Sequence, residues 1–182
     1  MFQNEHTRRS RGWSDWLKSS VSLGMALTLA GYICMQNPAL AAFNWPSVSR
    51  GETDETSARV TMIQCLLRSR GYSVVIDGHY GSQTQHVVRR FQVSHGLRAN
   101  GTVGARTWRQ LIVTLKPGSH GDAVRAIQVP LKDVSDVNLS INGRFDLRTE
   151  RAVRMFQGNN GLTVDGIVGR ATWLHLTENI TD

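Results

Sequence analysis

The chain has 182 residues, room for one medium domain or two small ones. A hydrophobic fraction of 40% and a charged fraction of 19% are those of a globular protein and not of a disordered one. The formal charge of +7 and the pI near 10.2 point to an anionic partner without saying which.

The chain opens with Arg8, Arg9, Arg11 and Lys18, followed by an uncharged, mostly apolar run from Val21 to Met35. Ala39-Leu40-Ala41 then places small residues where a signal peptidase needs them, so residues 1–41 read as a secretory signal peptide cleaved after Ala41. The apolar run is short of the roughly 20 residues of a spanning helix, so no stable membrane span is expected after cleavage. Export to the periplasm, the cell wall or the medium follows. The remaining chain carries 17 basic and 12 acidic residues, a net charge of +5, so the basic character does not belong to the leader alone. Cys34 leaves with the leader, and Cys65 then has no partner for an internal disulfide.

Residues 42–57 hold Pro46, Gly51 and several Ser and Thr with no helical or strand period, and read as a linker. Beyond them the chain repeats itself. With the second copy set 65 residues after the first, the 35 pairs from Asp77/Asn142 to Leu111/Leu176 include 14 identities, Phe91/Phe156, Gln92/Gln157 and Trp108/Trp173 among them. An internal duplication of this kind is read before any single motif.

Each copy parses into three helices. In the first, Val60, Ile63, Leu66 and Leu67 mark one face of a helix over 58–70, closed by Gly71. Cys65 lies near that face and reads as a buried small hydrophobe. A second helix over 82–95 turns Val87, Val88 and Phe91 inward, and a third begins near Gly104 and carries Trp108 and Leu111. Asp77-Gly78 and Asn100-Gly101 read as tight turns between helices, with a very short strand pairing as the alternative. The second copy repeats the plan over 122–129, 147–160 and 169–176. Its first helix is expected to end early or kink, because Pro130 stands where the first copy has Leu66.

Gly118-Ser119-His120-Gly121-Asp122-Ala123-Val124-Arg125-Ala126-Ile127-Gln128, Asn142-Gly143-Arg144-Phe145, and the run from Gly161-Leu162-Thr163-Val164-Asp165-Gly166 to Thr172-Trp173 together resemble the peptidoglycan-binding-like domain, a small three-helix module attached to many bacterial wall hydrolases. The first copy matches through Val60 to Gln64, Asp77 to Gly81, Phe91-Gln92, Gly96-Leu97 and Val103 to Trp108. The resemblance implies an all-α fold of two tandem modules, over 58–114 and 115–179. It also implies a non-catalytic wall-binding role, with peptidoglycan or an attached anionic wall polymer as partner and no cofactor or metal. Nucleic acid, the other common partner of a basic chain, does not fit an exported protein. An adaptor that holds a wall hydrolase is the alternative from another class, and an unrecognised wall hydrolase the third.

Site candidates follow from chemistry. The chain after Ala41 has 15 Arg and only two Lys, and the planar guanidinium suits the carboxylates of wall stem peptides. Arg89, Arg90, Arg144, Arg148, Arg151 and Arg154 fall on or beside the second helix of each copy. Tyr80 and Phe145 occupy matching turn positions, where they either stack on a sugar or cap the core. Gln92 and Gln157 are read as holding loop backbone. Ser94-His95-Gly96 resembles part of a transpeptidase motif, but Leu97 stands where the nucleophilic cysteine belongs, so it reads as a helix end. No His pair has the spacing of a zinc hydrolase.

Overall fold

The computed structural model describes residues 45–51, 57–135 and 137–178; residues 1–41, read above as a signal peptide, and the cleavage site expected after Ala41 lie outside the described residues. Among the described residues six helices follow one another: α1 (Ala58–Ser69), α2 (Ser82–Ser94), α3 (Ala105–Leu111), α4 (Asp122–Val134), α5 (Leu147–Asn159) and α6 (Arg170–Glu178). Among the described residues no strand forms, only isolated bridges between Val48 and Val103, Leu115 and Val168, and His120 and Arg144.

Local chemistry sets the helix ends. Ser57 caps α1, its hydroxyl accepting from the N–H groups of Arg59 and Val60 at 3.2 and 3.4 Å. Asp146 caps α5 in the same way, accepting from Arg148 and Thr149. Three helices stop at a glycine with positive φ, namely Gly71, Gly96 and Gly161. In each, the N–H one residue later folds back to a carbonyl of the last turn: Tyr72 to Leu67, Leu97 to Gln92 and Leu162 to Gln157.

Pro130 does not end its helix. α4 runs on for another turn to Val134. The proline gives up one N–H bond to the Ala126 carbonyl, but its ring is buried where the first copy has a core leucine, between the fully buried Ile127 and Leu131. Core packing outweighs the lost bond.

Each module closes around a tryptophan with no exposed surface, Trp108 or Trp173. The indole N–H of each donates to a backbone carbonyl of the segment that precedes the module: Trp108 to Pro46 at 2.8 Å and Trp173 to Val113 at 2.6 Å. The same segments supply the bridging residues Val48 and Leu115. Trp45 stacks on Trp108 with centroids 5.9 Å apart. The stretch read as a linker thus puts Trp45 and Val48 into the first module's core, and residues 113–115 do the same for the second.

The modules pack on each other through α1 and α4. This explains why Met62 through Leu67 are all buried: one face of α1 meets its own module and the other meets α4. Cys65 is buried, as its sequence context indicated, and its burial pushes the thiol up to about 11. At the end of the contact Arg68 holds Asp122 with two bonds of 2.7 and 2.9 Å, and Arg125 adds a third at 2.7 Å.

Candidate functional site

The polar residues that the repeat has in common mostly build the fold. Four buried glutamines, Gln64, Gln92, Gln128 and Gln157, each hold one Asx-Gly turn. In the last, the Gln157 oxygen accepts from Gly166 N–H at 2.9 Å. Its amide donates to Asp165 Oδ1, to the Ile167 carbonyl and to Thr172 Oγ1. Gln64, Gln92 and Gln128 make the same set around Gly78, Gly101 and Gly143. The four turn glycines have φ between 71° and 75°, a region side chains avoid. Each module is therefore itself two helix-turn units of one design. Asp77 and Asp165 are held below the ordinary carboxylate range, chiefly by the N–H groups of His79 and Ile167.

Tyr80 and Phe145 take the core alternative. They are 4% and 3% exposed, and the Tyr80 hydroxyl donates to the Gly101 carbonyl at 2.8 Å. Neither offers a ring face to a sugar. All six arginines are exposed. Arg154 is partly spent: it pairs with Glu150 at 2.9 Å and donates to the Val164 carbonyl at 3.0 Å, lying over Gly166. Arg89 lies over Gly101 in the matching way. A Cβ at Gly101 would come within 2.7 Å of Gln85 Cγ and 2.9 Å of Arg89 Nε, and one at Gly166 within 3.0 Å of Arg154 Nε.

Arg89 and Arg90 also border an open groove of about 540 Å³ along α2, completed by Tyr72, His86, Val93 and Ser94. Val93 is 67% exposed, and the Tyr72 hydroxyl meets Ser94 Oγ at 2.5 Å. His95 stacks on Phe91 and bonds its carbonyl, so the Ser-His-Gly stretch is a helix end. Sequence reasoning singled out the two arginines but not Tyr72, His86 or Val93. The available signal was an apolar Val93 on the polar face of a helix. The second module replaces Val93 with Gly158, so this groove has no matching wall there. Arg144, Arg148 and Arg151 stay on the α5 side of the second module, and the structure does not gather them with Arg89 and Arg90.

The family model described as Putative peptidoglycan binding domain matches the chain twice, over residues 56–111 and 120–176, together more than half of it. The chain belongs to the peptidoglycan-binding domain family. It is 30% identical over 168 residues to a probable N-acetylmuramoyl-L-alanine amidase of Bacillus licheniformis, covering 69% of this chain and 48% of that protein. To the amidase CwlM of Mycobacterium tuberculosis it is 31% identical, over 51% of this chain and 26% of that protein. A solved peptidoglycan-binding protein from Clostridioides difficile is 36% identical over 36% of this chain and 41% of that one, with a TM-score of 0.35. The chain thus spans less than half of the length of either of these two amidases. Both peptidoglycan-binding modules keep the buried glutamine pair, the turn glycines and the capped tryptophan. Among the described residues no helix is long and apolar enough to cross a membrane.

Proposed function

We propose that the chain is exported, loses its leader after Ala41, and binds peptidoglycan without catalysing a reaction on it. The observation that carries this is the double family match, with both modules packed into one body. Arg89 and Arg90 on the first module and Arg148 and Arg151 on the second are the wall-facing cations; their exposure and planar donors suit carboxylates. The non-catalytic reading is supported by how the polar side chains are used: the buried Gln, Thr and turn Asp or Asn residues are engaged in holding backbone. In this reading the first module begins at Trp45, ahead of the matched stretch.

Co-sedimentation of the mature chain with purified peptidoglycan, with and without its attached wall polymers, tests the proposal. Retention on stripped peptidoglycan supports it. Retention only on unstripped wall assigns the partner to the anionic polymer, and no retention on either removes the reading. The amidases among the relatives favour one second reading, a chain that docks a wall hydrolase, for which binding to such an enzyme in the absence of wall is the sign.

A further inference from the structure

Packing α1 against α4 leaves a groove of about 550 Å³ between the modules, within the roughly 300–1,000 Å³ of small-ligand sites. Buried Cys65 of α1 and half-buried Val129 of α4 form its base. Its sides come from two loops, each just ahead of an Asx-Gly turn: Val75 and Ile76 in the first module, Ile141 in the second. Val75 is 54% and Ile141 43% exposed, apolar side chains that the fold leaves uncovered. Among the described residues, the backbone of residues 74–76 and of Ile141 makes no hydrogen bond within the chain. Open N–H and C=O groups therefore stand next to those side chains.

Charge completes the picture. Arg68 and Arg125 both line the groove and share a single carboxylate, Asp122. Two guanidiniums against one carboxylate leave a positive charge, and Arg125 uses only Nη1 in that pair.

We propose that this inter-module groove binds the carboxylate-bearing stem peptide of peptidoglycan in extended form, an inference that rests on the wall-binding reading above. Backbone groups of an extended peptide pair with open loop edges, its small apolar side chains fit between Val75 and Ile141, and its carboxylates meet Arg125 and Arg68. A glycan is the poorer occupant, because among the described residues the groove is lined by no aromatic ring on which a sugar can stack. Neither module alone can form the site, since each supplies one loop and one arginine.

The test titrates a synthetic stem tetrapeptide, and separately stem-free glycan strands, into the full mature chain by calorimetry. Val75→Glu places a carboxylate at an exposed position in the groove, and Arg125→Gln removes one cation; thermal melting checks that each variant folds. The expected result is tetrapeptide binding by the wild type, weakened about tenfold or more by each substitution. Glycan binding and the melting temperature of Val75→Glu should be unchanged. If the wild type sediments with peptidoglycan but does not bind the tetrapeptide, or if Val75→Glu binds it as well as wild type, the groove proposal is overturned while wall binding stands. If the wild type fails to sediment and also ignores the tetrapeptide, both are lost.

Discussion

The four glutamine clamps allow a sharp test, and Gln157→Leu is the cleanest. Leucine keeps the apolar bulk in a position that is 1% exposed and removes only the amide. Gly166 N–H, which is buried, then loses its acceptor at 2.9 Å. A buried donor left unmatched costs about 1–3 kcal/mol. The other losses are smaller. Asp165 is exposed and turns to water, and the Ile167 carbonyl keeps the Thr172 hydroxyl at 3.4 Å. Each adds on the order of 0.5 kcal/mol. The expected total is about 2–4 kcal/mol, a fall of roughly 8–15 °C in melting temperature for a body of this size. Urea unfolding followed by circular dichroism measures it, with Gln83→Leu, an exposed glutamine on α2, as the control expected to stay within about 0.5 kcal/mol of wild type. A loss below about 1 kcal/mol would show that the turn stands without the clamp and that the repeated hydrogen-bond set is incidental.

Trp108→Ala and Trp173→Ala should each cost about 3–5 kcal/mol by emptying a fully buried site; unchanged melting would move the tryptophan out of the core. Deleting residues 45–48 should loosen the first module by about 2–4 kcal/mol, because Trp108 loses its stacked partner and its indole acceptor. Hydrogen exchange should then show faster opening of α3 than of α6. Stability should fall as pH rises from 9.0 toward 11, because the buried Cys65 keeps its proton after the unfolded chain has lost its own; Cys65→Ala should flatten that limb of a pH-dependent urea series. On the acid side, Arg68 holds the Asp122 carboxyl below its ordinary value. Its contribution is complete above about pH 4 and fades as pH falls through the lower folded value, a limb that Asp122→Asn should reduce.

The helices were legible because their apolar positions repeat with helical spacing and their ends carry glycine. The Gly71, Gly96 and Gly161 stops fall within a residue of the pattern reading. What stayed hidden depends on contacts that no local period reveals. Trp45 and Val48 lie on extended backbone beside Pro46, so nothing in that stretch marked it as core. Pro130 was read by its backbone penalty, while the structure shows its ring filling a leucine's place. The burial of Tyr80 and Phe145 hinges on which way a turn side chain points, which type and position left open. The arginines were visible as a composition bias, but their division between backbone duty, as at Arg154, and free exposure needed the fold.

Duplication has a different meaning once the modules are seen to share an interface. Two sites on a flexible tether adapt to whatever spacing a polymer offers, whereas two sites on one packed body demand a spacing that matches their own. Where the match holds, the second contact is intramolecular, and the tandem gains roughly 10²–10⁴ over one site. The expectation can be tested without cutting the chain, which matters because each module is closed by the segment ahead of it. Arg89→Ala with Arg90→Ala removes the cations of the first module, and Arg148→Ala with Arg151→Ala those of the second; all four are exposed. Each pair should weaken co-sedimentation with peptidoglycan about 100-fold or more, and the four together should weaken it well beyond either pair, because the single contact that each pair leaves is then lost as well. If one pair has no effect while the other abolishes binding, a single module carries the wall contact and its twin serves as the structural partner that α1 and α4 join to it.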